Sequence, residues 1–232
     1  MFAVPRFLLP APSAIAVETW AFGANWWGHV GATLLTVFSG LGLALAIAIP
    51  LGVAIARSPL AHRVVYPFLV INQATPVIAI APIVVVLAGT GLLAKAIVAA
   101  TVSVFPIVVS IATGLMATPR EYLELARSID DTPSKALARI RVPFAVRHIF
   151  SGLRVGVTLA LIGAVVAEFV SAGEGVGYIV YSSTSYMKTP LAFGGLLILA
   201  AMGLGLFGAV GLIQRTFFSW SRDMPGGDGT DA

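Results

Sequence analysis

The chain has 232 residues, of which 58% are hydrophobic and only 10% are charged, whereas a soluble domain carries roughly a quarter charged residues. This composition excludes an ordinary soluble domain and indicates an integral membrane protein, whose near-continuous apolar runs favour helices over a membrane barrel. The lack of cysteine excludes disulfides, thiol catalysis and cysteine-ligated metals. The net charge of +4 does not indicate nucleic-acid binding, because the basic residues follow membrane topology.

The first 30 residues contain three prolines and are predicted to form neither a span nor a signal peptide, since no basic start precedes an unbroken apolar core. Pro12-Ser13 before Ala14–Phe22 predicts a short capped helix, and a loosely ordered segment is an equal alternative. Trp20, Trp26 and Trp27 are expected at the outer interface, where indole rings are enriched. Residues 1–30 are therefore predicted to be periplasmic or interfacial.

Five apolar stretches are long enough for a transmembrane helix, which needs about 20 residues. They are Gly31–Ala56, Val64–Ala88, Leu93–Met116, Leu153–Ala172 and Leu191–Phe218. We therefore predict an all-α integral membrane protein, with a transmembrane domain over 31–220 and a disordered cytoplasmic tail over 221–232.

The distribution of Lys and Arg orients these spans. With the N-terminus outside, eleven of these residues fall inside and three fall outside. Such a bias follows the positive-inside rule. It predicts that the C-terminus and the polar segment Ala117–Phe150 lie in the cytoplasm.

The segment Ala117–Phe150 holds six Lys/Arg and four Asp/Glu and is the densest charge cluster of the chain. Its Thr118–Glu121 stretch has the features of a helix start with a capping box, which predicts a helix to Ile129. The following Asp-Asp-Thr-Pro breaks that helix and begins a second, Pro133–Arg141, which Pro143 is expected to end. We predict a protruding pair of short helices with an apolar face for a partner or for the span ends. A plain amphipathic loop is the alternative.

Polar residues within the spans are the candidates for a translocation pathway. In the second span they are Asn72, Gln73 and Thr75, next to Pro76, which frees a backbone carbonyl that must face protein or water. Near the outer end of the fourth span, Glu168 is a candidate because a carboxylate within the membrane is usually functional. A structural hydrogen bond to the glycine-rich turn after the span is the alternative for this residue.

The outer segment Gly173–Tyr186 is predicted either as a short helix at the mouth of a pore or as a simple exposed loop. Small residues at helical spacing in the first span, Gly40, Ala44 and Ala48, favour close helix packing rather than transport. These features predict architecture more than chemistry.

The polar segment resembles the EAA loop of bacterial ABC importer permeases, whose pattern is Glu-Ala-Ala, three residues, Gly, nine residues, Ile, one residue, Leu-Pro. Every interval is matched here. The matching residues are Glu124, Leu125, Ala126, Asp130, Ile140, Val142 and Pro143. The departures are Leu125, Val142 and Asp130. Aspartate at the glycine position tolerates a left-handed bend at some cost in free energy.

Other stretches resemble the subgroup of this family that imports sulfonates, nitrate and thiamine- or riboflavin-type precursors. They are Asn72–Pro76, Ala81-Pro82, Gly89–Gly91, Pro119–Ser128, Ala167–Val170 and Gly173–Tyr178, so that the similarity covers roughly Leu8 to Trp220. Members of the family usually carry a further N-terminal span. Either this chain has only the five-span core, or its start was placed too late.

The resemblance implies five transmembrane helices in a MetI-like permease core with a cytoplasmic coupling-helix loop, in the bacterial inner membrane. It implies a second permease copy, cytoplasmic ATPase subunits and a periplasmic or lipoprotein substrate-binding protein as partners, besides membrane lipid and without nucleic acid. Contacts to the ATPase are implied for Glu121, Glu124, Leu125, Ala126, Arg127, Asp130, Ile140 and Pro143. The implied cargo is a small organic solute, either a pyrimidine or vitamin precursor or a sulfonate- or nitrate-type anion.

The permease is not expected to be an enzyme. The chain has no Gly-x-x-x-x-Gly-Lys-Ser/Thr loop, so ATP and Mg²⁺ are expected on the partner ATPase and no cofactor on this chain. An intramembrane enzyme is disfavoured because His29, His62 and His148 fall at or outside the span ends. A secondary transporter and a non-transporting structural subunit are the alternatives, although the spans show neither deep coupling residues nor a repeat.

Overall fold

The computed structural model describes residues 10–119, 121–124, 132–171 and 173–222, and the regular elements in these ranges are helices. We number them α1 Pro12–Phe22, α2 Asn25–Arg57, α3 Pro59–Ala74, α4 Val77–Ala88, α5 Leu92–Met116, α6 Pro133–Ala136, α7 Val142–Val170, α8 Val176–Ser185 and α9 Thr189–Phe217. Residues 121–124 are helical, a π-helical turn covers Leu137–Arg141, and a 3₁₀ turn covers Ser219–Arg222. The predicted tail over 221–232 lies almost entirely outside the described residues.

Within the described ranges, four helices are long and apolar enough to cross a membrane. They are α2, α5, the continuous stretch Leu137–Val170 and α9. The pair α3 and α4 passes the same test as one broken span and raises the number to five. The predicted fold class, an all-α membrane protein with five spans, is therefore confirmed.

The second span is not the single helix predicted over Val64–Ala88. It consists of α3 and α4, which are bent by 98° at the break formed by Thr75 and Pro76. Pro76 has an extended backbone with ψ of 115°. A proline has no N–H to donate, and its ring clashes with the carbonyl four residues earlier, so the helix stops before it. The prediction took Val64–Ala88 as one span and did not include this break.

The prediction that Pro143 ends a short helix was also wrong. The chain stays helical from Pro133 to Val170, and Pro143 lies in the first turn of α7. In the π-helical turn before it, the Val142 N–H donates to the Leu137 carbonyl five residues back. The helix therefore continues past Pro143 from the π-helical turn that precedes it.

The N-terminal segment forms the predicted helix, α1, with a proline in its first turn but without a side-chain cap on Ala11. Trp20 and Trp27 are exposed, in keeping with the expectation for interfacial indoles. Trp26 differs, since it is buried and its Nε1–H donates to the Thr19 carbonyl at 2.9 Å. Buried indoles usually find such an acceptor.

The contacts divide the chain into two units. The first comprises residues 1–43, 75–103 and 157–206, and the second comprises 44–74, 104–156 and 207–232. In the first unit, Trp26, Val176 and Ile179 form a buried cluster. The predicted close packing is present at Gly40, where an added Cβ would lie 2.5 Å from the Ala99 Cβ. Glycine at this position therefore lets α2 approach α5 more closely than a larger residue would.

The core of the second unit is built mainly on α5 and the start of α7. Ile107, Val108 and Leu115 on α5 are buried, as is Ala145 on α7. This packing fixes the start of α7, which emerges from the polar segment.

Candidate functional site

The described part of the polar segment begins with the helical turn at 121–124. Glu121 and Glu124 are both exposed on this turn. Tyr122 lies between them in sequence, and its ring contacts that of Phe144 with centroids 4.9 Å apart. The turn is therefore held against the start of α7 by an aromatic pair while its carboxylates face outwards.

The far end of the polar segment is the helix that leads into α7. Ile140 lies in the π-helical turn and Pro143 in the first turn of α7, and both are half-buried. Arg139, in the same π-helical turn, is exposed. The remaining predicted contacts, Leu125, Ala126, Arg127 and Asp130, lie outside the described residues.

The predicted pathway residues of the second span lie in and beside the break in that span. Asn72 and Gln73 are in the last turn of α3, and Thr75 and Pro76 form the break itself. Gln73, Thr75 and Pro76 are exposed, and Asn72 is half-buried. Backbone polar groups at a break inside a membrane span need protein or water around them rather than lipid.

Glu168, the other pathway candidate, has a different environment. It is fully buried in α7, and its Oε2 accepts a hydrogen bond from the Gly177 N–H at 2.8 Å. Its Oε1 has no hydrogen-bond partner among the described residues, although Thr33 lies beside the carboxylate. The alternative prediction for Glu168, a hydrogen bond to the glycine-rich turn after the span, thus has its contact in the bond to Gly177.

Glu168 belongs to a set of three side chains that receive the first N–H groups of α8. The Gly175 N–H donates to His29 Nδ1 at 3.1 Å, and the Val176 N–H donates to Thr33 Oγ1 at 2.9 Å. The first N–H groups of a helix have no acceptor within the helix, and a carboxylate there also interacts favourably with the helix dipole. We call His29, Thr33 and Glu168 the α8 clasp.

The turn that enters the clasp requires glycine. Gly175 has φ of +115° and ψ of 157°, a conformation that is essentially restricted to glycine. A Cβ at this position would also overlap the carboxyl group of Glu168. The glycine therefore allows the backbone to lie directly on the buried carboxylate.

An ion pair lies next to the clasp. Lys95 at the start of α5 is buried, and its Nζ is 4.0 Å from Oε1 of the exposed Glu174. At this distance and exposure the pair stabilises the fold only weakly. Within the described residues no group of three or more His, Cys, Asp or Glu side chains could hold a metal ion.

Comparison with known proteins places these features in a family. Residues 48–219 match the family described as binding-protein-dependent transport system inner membrane component. The chain belongs to this family. The match covers more than half of the chain and includes the whole polar segment, both helices of the broken second span and the α8 clasp residue Glu168.

Individual members of the family are similar over nearly the whole chain. A probable ABC transporter permease protein of Haemophilus influenzae is 34% identical over 94% of this chain and 88% of its own length. The formylaminopyrimidine transport permease protein ThiX of Halalkalibacterium halodurans is 33% identical, over 93% of this chain and 87% of its length. The riboflavin transport system permease protein RibX of Chloroflexus aurantiacus is 34% identical, over 93% of this chain and 81% of its own length.

The fold is shared with a solved transporter. An inward-facing structure of the MetNI methionine ABC transporter contains a chain that superimposes with a TM-score of 0.70 at 21% identity, over 81% of this chain and 93% of that chain. At this identity the likeness concerns the fold, which is MetI-like. The chain is thus a membrane permease component of the ABC importer type, and its relatives are permease subunits rather than enzymes.

Sequence reasoning missed two sets of polar residues. One is the pairing of Thr33 and His29 with the start of α8, which no local pattern indicates because these residues are more than 140 positions away from their donors. The other is Arg154 in α7, whose Nη2 donates to Gln214 Oε1 at 2.8 Å and whose guanidinium lies 5.7 Å from the Phe207 ring centroid. An arginine and a glutamine within apolar helices are the signal that could have found the second set.

Proposed function

We propose that the chain is the transmembrane subunit of an ATP-driven importer, which moves a small organic solute across the bacterial inner membrane by alternating access. The observation that carries this proposal is the family match over 48–219, which contains the EAA-type pattern from Glu124 to Pro143 with every interval matched. The chain lacks a phosphate-binding loop, so hydrolysis of ATP is assigned to a separate cytoplasmic subunit.

The polar segment 117–150 is proposed to dock onto that ATPase. Its exposed carboxylates, Glu121 and Glu124, are positioned for polar contacts, while the contact of Tyr122 with Phe144 supports the turn from behind. We extend the proposed contact to Leu125, Ala126, Arg127 and Asp130 on the matching pattern alone. Ile140 and Pro143 would close the docking surface at the start of α7.

Movement of the docked segment has a direct route into the membrane. From Pro133 onwards the segment is helical and includes most of the first half of a helix of 34 residues, Leu137–Val170, which is about 50 Å long at 1.5 Å per residue. A helix of this length transmits a displacement of one end as a rigid-body motion, the type of motion that alternating access requires. The far end of this helix carries Glu168 of the α8 clasp.

The pathway residues are proposed to be Asn72, Gln73, Thr75 and Pro76. These residues lie in and beside the 98° break of the second span, where backbone carbonyls must meet protein or water rather than lipid. Full burial and the bond to Gly177 favour a structural role for Glu168 instead of contact with the solute.

For the cargo, we propose a pyrimidine or vitamin precursor ahead of a sulfonate- or nitrate-type anion. Two relatives that are 33% and 34% identical carry the names formylaminopyrimidine transport permease and riboflavin transport system permease. The solute would be delivered by a periplasmic or lipoprotein binding protein to a pore made by two copies of the permease. We further propose that the N-terminus lies outside and the C-terminus in the cytoplasm, which the distribution of Lys and Arg favours.

The test is reconstitution of the full chain in vesicles with its ATPase and binding protein, using Glu124→Lys. We expect the variant to lose the ATPase during purification and to lose ATP-dependent uptake. The introduced ammonium group would meet an ATPase surface that is complementary to a carboxylate, and the two would repel each other. Glu18→Lys makes the same charge change on exposed α1 and should behave as the unmodified protein. Uptake that needs an ion gradient and no ATP would instead establish a secondary transporter.

A further inference from the structure

The junction between α2 and α3 carries two adjoining cavities that the transport function does not use. The first, of about 480 Å³, is lined by the last turn of α2 and the first turns of α3, including Arg57, Ser58 and Arg63. The second, of about 330 Å³, extends between the side chains of α3 and α5, including Tyr66 and Val109. Ile55, His62 and Met116 line both cavities, so the two are continuous along one wall.

The first cavity is cationic. Arg57 and Arg63 are exposed, and neither forms an ion pair with a carboxylate in the part of the chain that the structure describes. No Asp or Glu is among the described residues that line either cavity. Ser58 Oγ accepts the Ala61 N–H at 3.3 Å, which holds the turn between the two arginines. Two guanidinium groups on one cavity match a phosphate group, which accepts bidentate hydrogen bonds from arginine.

The second cavity is apolar. Its walls include Ile55, Val109, Ala112 and Met116, and the Tyr66 ring stacks on His62 with centroids 5.1 Å apart. Because α2 is long and apolar enough to span a membrane and α3 is so together with α4, we infer that their junction at Ser58 lies at the membrane surface. The cationic cavity is therefore at headgroup depth, and the apolar cavity is on its membrane side.

We propose that this pair of cavities binds one phospholipid with an anionic headgroup. The phosphate would be held by Arg57 and Arg63, and one acyl chain would lie along Val109, Ala112 and Met116. A soluble anion would use only the cationic cavity. Phosphatidylcholine has a phosphate and acyl chains, but its trimethylammonium group would be repelled by the two arginines, so the combination commits to a lipid with a net negative headgroup. Basic pockets between membrane helices have the chemistry for such headgroups.

The test is native mass spectrometry of the full chain, titrated in detergent with dioleoylphosphatidylglycerol, dioleoylphosphatidylcholine and inorganic phosphate. We expect one saturable phosphatidylglycerol per chain, and weaker binding of the other two. The double variant Arg57→Gln/Arg63→Gln should bind phosphatidylglycerol about thirtyfold more weakly, which is the effect expected for two interfacial arginines.

A matched control removes the same amount of charge elsewhere. Lys188→Gln/Arg215→Gln changes two exposed cations outside both cavities and should bind phosphatidylglycerol as the unmodified chain does. Arg57→Lys/Arg63→Lys keeps the charge, and it should lose less than tenfold even if the glutamine variant does not fold.

Three results would overturn the proposal. The first is equal loss of lipid in the glutamine and control variants. The second is saturation of the site by inorganic phosphate at the same concentration as by the lipid, which would make it a site for soluble anions. The third is that the variant Arg57→Gln/Arg63→Gln binds the lipid as the unmodified chain does but loses the ATPase during purification, which would assign the junction to a protein partner.

Discussion

Two glutamates of this chain, Glu168 and Glu124, show how position decides the use of one residue type. Glu168 is fully buried, and its carboxylate receives the N–H of Gly177 from the start of α8. Glu124 is exposed on the turn at 121–124. The α8 clasp is therefore expected to act on stability, and the polar segment on coupling to a partner. Substitutions at the two places should separate these effects.

The largest loss of stability is expected for Gly175→Ala. The substitution combines a backbone conformation that alanine avoids with overlap on the Glu168 carboxyl group, at a cost of about 4 kcal/mol. Thermal unfolding in detergent, followed by tryptophan fluorescence, measures the change. Gly173 also has a positive φ, but an added Cβ would contact no other atom there, so Gly173→Ala should lose less stability. An added Cβ at Gly42 in α2 would also contact nothing, and Gly42→Ala should lose no stability. Equal losses in all three variants would show that the clasp is not the cause.

Glu168→Ala is expected to destabilise the protein by about 2–3 kcal/mol, because a buried hydrogen bond is lost and the Gly177 N–H is left without an acceptor. Hydrogen exchange of the amides at the start of α8 should become faster. Glu168→Gln keeps an acceptor oxygen and should lose only about 1 kcal/mol. Unchanged hydrogen exchange in the alanine variant would show that Glu168 does not stabilise the start of α8. Loss of uptake with normal stability would instead indicate that Glu168 lines the translocation pathway.

Thr33→Val should cost about 1 kcal/mol, since valine has the same shape but offers no acceptor to the Val176 N–H. The matched control is Thr36→Val, one turn further along α2. The Thr36 hydroxyl donates to the Ala32 carbonyl of its own helix, and Thr36→Val should change the free energy of unfolding by nearly zero. If both variants unfold at the same temperature, the bond to Val176 makes no net contribution to the stability.

The smallest change in stability is expected for Glu121→Ala and Glu124→Ala, which should each stay within about 0.5 kcal/mol of the unmodified chain because both side chains are exposed. The same variants are expected to weaken retention of the ATPase. Destabilisation as large as that of Glu168→Ala would mean that the turn serves the fold of this chain, and the contrast between the two glutamates would fail.

Much of the architecture could be predicted from composition alone. The first, third and fifth spans begin and end within about six residues of their predicted limits, because about 20 apolar residues in a row have no other stable state than a membrane helix. The two errors both concern prolines. Pro76 breaks its span by 98° whereas Pro143 leaves its helix intact, and no local pattern shows which of the two outcomes a proline will have.

The functional assignments divide along the same line. Glu121, Glu124, Ile140 and Pro143 could be singled out because the coupling pattern is contiguous in the sequence, so its spacing is visible without a structure. The clasp could not, because His29 and Thr33 meet residues 146 and 143 positions away. A site whose residues are close together along the chain can be recognised from the sequence. The hydrogen bonds that join distant helices depend on how those helices pack, and only the folded chain decides them.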